Sequence, residues 1–335
     1  MRFGLALPHY DFSLPDVRPV TFDAIAEHAR TAERLGFDSV WVSDHFLYSL
    51  ARYGGEDAPL GSLEPLTTLA ALAPLTERVR LGSLVLSAPF RHPSILAKSA
   101  TAIDVLSGGR LDLGLGAGWY EDEFRAFGYE YGSVGERFGV LEETVRVLDA
   151  LLPGGPVDLD GPTVTLRNAY NRPRPAQRPR PPIWIGAKGG DRALRLVARH
   201  ADGWNTVWRW SPESYAAKAR RARELFEAYR RDPTTLRLSV GLYTILGEDE
   251  DDLGRRWEAM RDWMPGRALD GEDIEAWRAD ALVGTVDQAV ERVHAFAELG
   301  VEELIVAPAP IPFAIPDASM LELIAERLIP AVRGT

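Results

Sequence analysis

Short apolar runs rich in Val, Ile and Leu alternate with segments of helical period from one end of the chain to the other. This alternation is the βαβα pattern of a parallel sheet whose faces are covered by helices. The apolar runs are therefore interpreted as buried strands. The pattern predicts eight of them, near Arg2–Pro8, Ser39–Asp44, Val79–Ser87, Leu111–Ala117, Ile183–Ala187, Gly203–Val207, Leu236–Leu246 and Glu303–Pro308.

The segments between the strands have the spacing of helices that pack inward. In Thr21–Leu35, for example, the apolar residues recur three and four positions apart. A helix end, a glycine, an acidic turn and an apolar strand occur together twice, in Ala32–Val42 and in Ala297–Val306. Eight such units can close into a (β/α)8 TIM barrel or remain an open, doubly wound sheet. The repeat favours the barrel, although the pattern alone leaves both architectures open.

Residues 153–182 interrupt the alternation. They contain Gly154-Gly155-Pro156 and the letters NRPRPAQRPRPP, which are too rich in proline for a helix. Within them, VDLDGPTVTLRNAY predicts a short hairpin that turns at Asp160-Gly161. Because the strand and helix pattern resumes directly afterwards, we predict an insertion between the fourth and fifth strands of a single domain, residues 1–335.

Composition and charge narrow the possible chemistry. The chain has no cysteine, which excludes disulfides and thiolate ligands, so redox chemistry would need a bound cofactor. A formal charge of −11 argues against nucleic acid or an anionic membrane as a partner. No apolar stretch is long enough for a bilayer and no leader pattern opens the chain, so we expect a cytoplasmic protein. No metal-binding, Walker A or GxSxG motif is present, and we predict no metal site.

Polar residues occur where the predicted strands end. In a barrel these ends meet at one mouth, which makes their side chains the first candidates for a functional site. The pair Asp44-His45 follows the second strand. A histidine there can gain or lose a proton near neutral pH, while the carboxylate orients it or binds a cofactor group. An isolated pair of this kind more often only caps a loop, but its position at a strand end favours a functional role.

A second candidate follows the fifth strand, where Lys188-Gly189-Gly190 leads directly into a predicted helix. Bare backbone N–H groups, a helix N-terminus and a lysine can together hold a phosphate. An ordinary glycine-rich turn explains the same residues equally well. The position in the second half of the predicted barrel favours the phosphate site.

Glycine recurs on one face of the fourth strand, at Gly114, Gly116 and Gly118, just before Trp119. The glycines could leave a gap for a planar ring with Trp119 as a wall, or they could accommodate bulky neighbours within the barrel core. Their spacing alone does not separate these alternatives. The acidic run Glu121-Asp122-Glu123 that follows is interpreted as a solvated first turn of a helix.

Several segments spread over nearly the whole chain carry a resemblance to a known family. They are RFGLALP, VWVSDHF, LGSLVLSAPFRHP, SGGRLDLGLGAGWYEDEFRAFG, ERFGVLEETVRVL, NRPRPAQRPRPPIWIGAKGGDRALRLVARHADGWN and VGTVDQAVERVHAFAELGVEELIV. In these segments the sequence resembles the luciferase-like monooxygenase superfamily, and within it the branch of coenzyme F420-dependent oxidoreductases. The segments are highly specific for the superfamily and much less specific for the substrate. The resemblance implies an (α/β)8 barrel, a flavin-type cofactor at its mouth, and a homodimer.

The resemblance also implies roles for individual residues. His45 would be the catalytic acid or base near the reactive carbon of the cofactor, with Asp44 as its catalytic and cofactor-binding neighbour. A non-proline cis peptide is implied in strand three, behind the ring of the cofactor. The residues implied to bind the cofactor are Asp44, Ser83, Leu84, Val85, Gly118, Lys188, Gly189, Gly190 and Asn205.

One departure from the family bears on the substrate. Sugar-phosphate dehydrogenases of this branch carry a catalytic glutamate where this chain has Trp119, and the chain has no evident set of phosphate-binding lysines. We therefore expect a more hydrophobic or aromatic small molecule. The predicted substrate pocket consists of Tyr10, Phe46, Trp119 and Trp208.

The resulting hypothesis is an F420-dependent oxidoreductase that transfers a hydride between reduced deazaflavin and a small organic substrate, with His45 moving the proton. A deazaflavin does not readily activate oxygen, so the hypothesis predicts reductase or dehydrogenase activity. Two alternatives remain open. One is an FMN-dependent monooxygenase on the same scaffold, against which Asp44-His45 favours F420, and the other is a non-catalytic flavin-binding protein.

Overall fold

A ring of eight parallel strands forms the centre of the protein in a computed structural model that describes residues 1–264, 267 and 269–334. The ring consists of the first, second, fifth, seventh, tenth, eleventh, twelfth and fourteenth strands. In chain order the strands are β1 (Arg2–Ala6), β2 (Ser39–Val42), β3 (Leu47–Tyr48), β4 (Leu60–Gly61), β5 (Arg80–Ser83), β6 (Leu86–Ser87), β7 (Leu111–Gly116), β8 (Val157–Asp160), β9 (Thr165–Ala169), β10 (Ile183–Gly186), β11 (Gly203–Trp208), β12 (Arg237–Gly247), β13 (Leu282–Thr285) and β14 (Glu303–Ala307).

The ring closes through the pairing of β7 with β10, in which Leu113 lies opposite Ile183. Without this pair, the other pairings would give an open sheet in the order β10-β11-β12-β14-β1-β2-β5-β7. The barrel is therefore confirmed and the doubly wound sheet is excluded. All eight strands predicted from the apolar pattern belong to it, because a strand buried on both faces needs a continuous apolar run.

Helices cover the outside of the barrel. They are α1 (Phe22–Arg34), α2 (Pro65–Leu72), α3 (Pro93–Leu106), α4 (Glu121–Ala126), α5 (Val134–Leu151), α6 (Asp191–His200), α7 (Pro212–Ala228), α8 (Glu250–Trp263), α9 (Ile274–Arg278), α10 (Val286–Glu298), α11 (Ser319–Leu323) and α12 (Ile329–Arg333), with a π-helical turn, Ile324–Leu328, between the last two. Side chains cap the N-termini of several of these helices. At α5, Ser133 and Glu136 form a capping box, and Thr285 and Gln288 do the same at α10.

Bulky side chains fill the inside of the barrel. Trp41 and Trp184 are almost completely buried. Small neighbours make room for them, since a Cβ at Gly82 would lie 2.2 Å from the ring of Trp41, and one at Gly203 would lie 2.4 Å from the ring of Trp184. Close packing of this kind fixes the strands relative to one another, and so fixes the residues at their C-terminal ends.

The insertion between the fourth and fifth barrel strands contains the predicted hairpin. Strands β8 and β9 pair antiparallel, with Asp160 opposite Thr165. Glu143 on α5 accepts the backbone N–H groups of Thr163 and Val164 at 2.9 Å each, which ties the hairpin to the barrel. No helix within the described part of the chain is both long and apolar enough to cross a membrane.

Candidate functional site

A cavity of about 650 Å³ opens at the C-terminal ends of the barrel strands. Its volume is in the range of small-molecule and cofactor sites. The predicted site residues that line it are Tyr10, Asp44, His45, Leu84, Val85, Gly118, Trp119, Lys188, Gly190, Asn205 and Trp208. Other lining residues were not singled out from the sequence, among them Ser43, Tyr48, Arg52, Glu123, Thr206 and Phe313. The fold thus brings most of the predicted site residues together.

Three predicted residues, Ser83, Phe46 and Gly189, lie outside this lining. Ser83 is fully buried, and its hydroxyl is held 3.0 Å from both the N–H and the carbonyl of Gly114 in the neighbouring strand. Phe46 packs in a separate aromatic cluster, with its ring centre 4.5 Å from that of Phe90 and 4.6 Å from that of Phe127. The side chains of Ser83 and Phe46 therefore do not line the cavity, although both were predicted at the site from the sequence.

A buried carboxylate holds His45. Glu123 Oε1 lies 2.9 Å from Nδ1 of His45, and Glu123 Oε2 accepts the backbone N–H of Phe46 at 2.9 Å. The side chain of Glu123 is only 2% exposed. The interpretation of the acidic run as solvated is therefore wrong for Glu123, because the first turn of α4 directs this residue inward. No described residue bonds to Nε2 of His45, which leaves that nitrogen for a ligand in the cavity.

Aromatic rings surround the imidazole of His45. The centres of the Tyr48, Trp119, Tyr120 and Tyr10 rings lie 5.2, 5.5, 6.1 and 6.2 Å from its centre. Three of the four are nearly perpendicular to it, in the edge-to-face arrangement that aromatic pairs favour. Packing thus restricts the orientation of the imidazole in addition to its hydrogen bond with Glu123.

Asp44 points to an arginine and not to its neighbour in the sequence. Its carboxylate accepts two bonds from the guanidinium of Arg91, one of them at 2.9 Å, and the backbone N–H of Ser87 at 2.8 Å. Burial by itself would lower the pKa of Arg91, but the carboxylates of Asp44 and Glu64 raise it above its usual value. The orientation of His45 therefore depends on Glu123, while Asp44 ties β2 to the segment after β6.

The peptide bond between Leu84 and Val85 is cis, at the place that the resemblance implied. Val85 explains the glycines of the fourth barrel strand. A Cβ at Gly114 or Gly116 would lie 2.9 or 2.8 Å from its methyl groups, and one at Gly186 would also lie 2.8 Å away. Gly114, Gly116 and Gly186 therefore accommodate the packed side chain of Val85. Val85 itself, together with Leu84, provides an apolar wall of the cavity.

A potential anion site lies where β10 leads into α6. Gly190 is the N-cap of α6, no side chain caps that helix, and a Cβ at Gly190 would meet nothing within 4 Å. Its first-turn N–H groups are thus open to a ligand. Nearby, Lys188 donates to the carbonyl of Val207, and desolvation lowers the pKa of the lysine. Gly189 lies outside the lining, and a Cβ there would lie 3.0 Å from both Lys218 and Trp204. Its predicted contact with the cofactor stays a prediction.

His9 is a second buried histidine next to the site. Its Nδ1 lies 3.0 Å from the hydroxyl of Ser43, and its Nε2 has no hydrogen-bond partner among the described residues. Burial, reinforced by the nearby charge of His45, lowers the pKa of His9 to about 3. His9 is therefore neutral at physiological pH, and of these two histidines only His45 lines the cavity.

Three phenol hydroxyls form a chain beside the cavity. The hydroxyls of Tyr48 and Tyr53 lie 3.2 Å apart, and those of Tyr53 and Tyr243 lie 3.4 Å apart. Burial raises the pKa of Tyr48 and of Tyr243, so both groups keep their protons. The three hydroxyl groups carry three protons but form only two hydrogen bonds with one another. One O–H group is therefore left to donate to a ligand.

Glu123, Arg91 and Tyr48 contribute to the site but were not predicted from the sequence. A signal existed for Glu123, because the apolar Phe124 follows it while Glu121 and Asp122 precede it. In a single helical turn, that order places residues 123 and 124 on the inner side. The sequence contains no comparable signal for Arg91 or Tyr48, whose partners are distant along the chain.

Comparison with known families and proteins gives concordant results. The family model of luciferase-like monooxygenases matches residues 1–303. An F420-dependent glucose-6-phosphate dehydrogenase of Microbacterium testaceum is 32% identical over 297 residues, which cover 82% of this chain and 84% of that protein. A protein of the same name from Beutenbergia cavernae is 32% identical over 329 residues, covering 90% of this chain and 91% of the relative.

Solved structures with the same fold include a dehydrogenase and a monooxygenase. An F420-dependent secondary alcohol dehydrogenase, solved with an F420-acetone adduct, superposes with a TM-score of 0.78 at 20% identity and covers 99% of both chains. The monooxygenase RslO1 from Streptomyces bottropensis superposes with a TM-score of 0.74 at 26% identity, covering 98% of this chain and 99% of its own.

Proposed function

We propose, on the premise that this chain belongs to the luciferase-like monooxygenase family, that it is an F420-dependent oxidoreductase. It transfers a hydride between reduced deazaflavin and a small organic substrate. In this proposal the barrel and its insertion form one domain, which works in the cytoplasm as a homodimer. The proposal draws support from the two relatives named for F420, which align over most of their length.

The single observation that carries the proposal is the state of His45. Its Nδ1 is occupied by a buried carboxylate, while its ring lines the cavity with Nε2 unbonded by any described residue. A general acid or base needs this combination of a fixed ring and one free nitrogen directed at the substrate. A protein that only bound a flavin would not require it.

The cavity fits the proposed cofactor at both ends. Leu84 and Val85 offer an apolar wall for a planar ring, and Asn205 supplies a polar group whose Nδ2 is already bonded to Ser239 at 2.7 Å. The open N-terminus of α6, with Lys188 beside it, suits a phosphate group. When bound there, F420 would supply a carbon that accepts or donates a hydride.

The chain's own residues would then perform three tasks. The aromatic rings around His45 exclude water from its sides, so that a proton is exchanged with the substrate and not with solvent. Nε2 of His45 takes or returns that proton. The O–H group left over among the hydrogen-bonded hydroxyls of Tyr48, Tyr53 and Tyr243 can donate to a substrate oxygen. Burial keeps the phenol of Tyr48 protonated.

The cavity favours substrates with an apolar or aromatic body. Tyr10, Trp119, Trp208 and Phe313 line it, and Trp119 is 47% exposed at its mouth. Relatives at 32% identity are named for glucose 6-phosphate. Among the described lining residues, Lys188 and Arg52 are the only lysine and arginine. Because Lys188 is assigned to the cofactor, we propose a substrate other than a sugar phosphate.

An FMN-dependent monooxygenase is the second candidate: the monooxygenase RslO1 shares the fold at 26% identity, which supports the activity and not the choice of cofactor. Titration of the purified protein with F420 and with FMN, followed by the visible spectrum, separates the two. We expect saturable binding of F420 and substrate-dependent bleaching or recovery of its absorbance without oxygen consumption. Tight FMN binding with no F420 binding would contradict the proposal. Sedimentation velocity tests the homodimer in the same preparation.

A further inference from the structure

We infer that Glu123 is a positioning residue that keeps the proton of neutral His45 on Nδ1 and thereby makes the cavity-facing Nε2 a proton acceptor. The catalytic part of this inference, in which Nε2 exchanges a proton with the substrate, rests on the proposed function. The tautomer of His45 is inferred from geometry alone, and it can be measured without any turnover.

The two oxygens of Glu123 each face an N–H position. Oε2 accepts the backbone N–H of Phe46, a group that can only donate. Oε1 lies 2.9 Å from Nδ1 of His45. Because an ionised carboxylate only accepts hydrogen bonds, Nδ1 must carry the proton, and the lone pair of the ring is then on Nε2.

Glu123 is also placed to form an ion pair with the protonated form of His45. Its side chain is 2% exposed, and within the described part of the chain His45 is the only basic side chain within ion-pair distance of it. A buried carboxylate without a cation is unfavourable, and a proton that arrives on Nε2 creates that cation at the required place. The imidazolium formed during the reaction would thus be stabilised by a partner that is already in position.

The proton step balances with the proposed hydride transfer. If the substrate were a secondary alcohol, the hydrogen on its carbon would leave with the bonding pair and would be accepted by oxidised F420. The hydroxyl proton passes to Nε2, and the carbon–oxygen bond becomes a carbonyl. In the reducing direction the imidazolium returns the proton to the oxygen as the carbon receives the hydride.

Glu123→Gln separates a positioning role from simple packing. Glutamine has the same shape as glutamate, but one of the two carboxylate oxygens is replaced by an NH2 group. The amide oxygen must face the Phe46 N–H, since the NH2 group cannot accept a bond there. The NH2 group then donates to Nδ1 of His45, which reverses the tautomer and places a proton on Nε2. The variant keeps both hydrogen bonds while removing the proton acceptor from the cavity.

Ser62→Ala is the matched control. The hydroxyl of Ser62 donates to the backbone carbonyl of His45, so its loss loosens the same segment without touching either ring nitrogen. If Glu123 acted only by holding this segment, the two variants would behave alike. If it sets the tautomer, only Glu123→Gln changes the ring.

The experiment is 15N NMR of the full-length protein labelled at histidine, with the signal of His45 assigned from His45→Gln. Only six histidines contribute, which keeps the spectrum tractable. In the neutral ring we expect a protonated Nδ1 in the native protein and in Ser62→Ala, and a protonated Nε2 in Glu123→Gln. A protonated Nε2 in the native protein, or an unchanged tautomer in Glu123→Gln, would overturn the inference.

Kinetics with F420 give the second readout. Loss of a positioned acid or base reduces kcat by about 100-fold or more, and the KM of a substrate held by other groups stays within about threefold. An unchanged kcat in Glu123→Gln, or an equal loss in Ser62→Ala, would also overturn the inference. If the native protein turned over no substrate, the proposed function would fail while the tautomer result still decided the role of Glu123.

Discussion

The carboxylate of Asp44 and the guanidinium of Arg91 form a bidentate ion pair at the edge of the cavity, where the Asp44 side chain is only 1% exposed. Arg91 extends the pair to Glu64, at 2.7 Å. The pair joins the segment after β2 to the segment before α3. His45 directly follows Asp44, and the Leu84–Val85 wall lies between β5 and β6, just before the segment that carries Arg91. The pair therefore helps to hold the two sides of the site in register.

We therefore expect Arg91→Met to lower the free energy of unfolding by about 3 kcal/mol, since it leaves a buried carboxylate without its cation. Urea unfolding followed by circular dichroism measures this. Arg125→Met is the control, because Arg125 pairs with Glu121 on the surface, where the loss of an ion pair costs less than about 1 kcal/mol. Equal effects of the two variants would mean that the Asp44–Arg91 pair is no more important than a surface pair.

The low pKa of His9 predicts how stability depends on pH. The unfolded chain binds a proton at His9 below about pH 6.5, whereas the folded protein resists it down to about pH 3. Between these values the unfolded state holds more protons, so stability falls as the pH is lowered, by up to about 1.4 kcal/mol per pH unit.

Replacement of His9 by leucine should remove this contribution. We expect a shallower dependence of the unfolding free energy on pH between about 6 and 4 in His9→Leu than in the native protein. Urea midpoints at a series of pH values provide the slopes. His28→Gln, at a half-buried helical position, is the control for the loss of a histidine elsewhere in the chain. A native slope in His9→Leu would show that His9 is protonated in the fold.

Gly114→Ala tests the packing around Val85. The added Cβ would lie 2.1 Å from the backbone oxygen of Ser83 and 2.9 Å from a methyl group of Val85, and the backbone atom cannot move aside cheaply. We expect a loss of about 1–3 kcal/mol in stability and weaker cofactor binding, because the cavity wall is displaced.

Gly139→Ala is the comparison for that substitution. Gly139 lies within α5 and a Cβ there would meet nothing within 4 Å, so the variant should gain roughly 0.5–1 kcal/mol from helix propensity. Both values come from the same urea titrations. A neutral Gly114→Ala would contradict the close approach of Val85 and Ser83 to this strand.

Lys188→Met tests the anion end of the cavity. We expect F420 to bind roughly tenfold more weakly, with a smaller salt dependence, because one charged contact to its phosphate is lost. Binding of the deazaflavin ring system without its phosphate side chain should be nearly unchanged. Lys98→Met, at a lysine outside the cavity lining, is the control. Equal weakening for both ligands would place Lys188 at the ring and not at the phosphate.

Much of the fold could be predicted because it depends on local patterns. Each buried strand needs an apolar run, and each outer helix needs an apolar stripe, so the eight strands and the α1 helix were visible in the sequence. The hairpin at Asp160-Gly161 was predicted from turn chemistry. Membership of the luciferase-like family was also predicted, from segments that span the chain, and the family match confirms it.

Partners that are far apart in the chain could not be assigned. Glu123 reaches His45 across 78 positions, and Arg91 reaches Asp44 across 47. Both contacts exist only because barrel strands end at the same rim, where β5 lies next to β2 and β7 is the next strand after β5. The sequence suggested that Asp44 would orient His45 because the two are adjacent, but successive residues leave a strand end in different directions.

The sequence by itself determined the number and order of the strands, the family, and the set of strand ends from which a site could form. The tertiary structure decided that β7 pairs with β10 to close the barrel, and which of those rim side chains face the cavity. It also decided that Glu123, and not Asp44, holds His45. Periodicity records whether a residue is buried, whereas the choice of partner depends on the register and closure of strands that are distant in the chain.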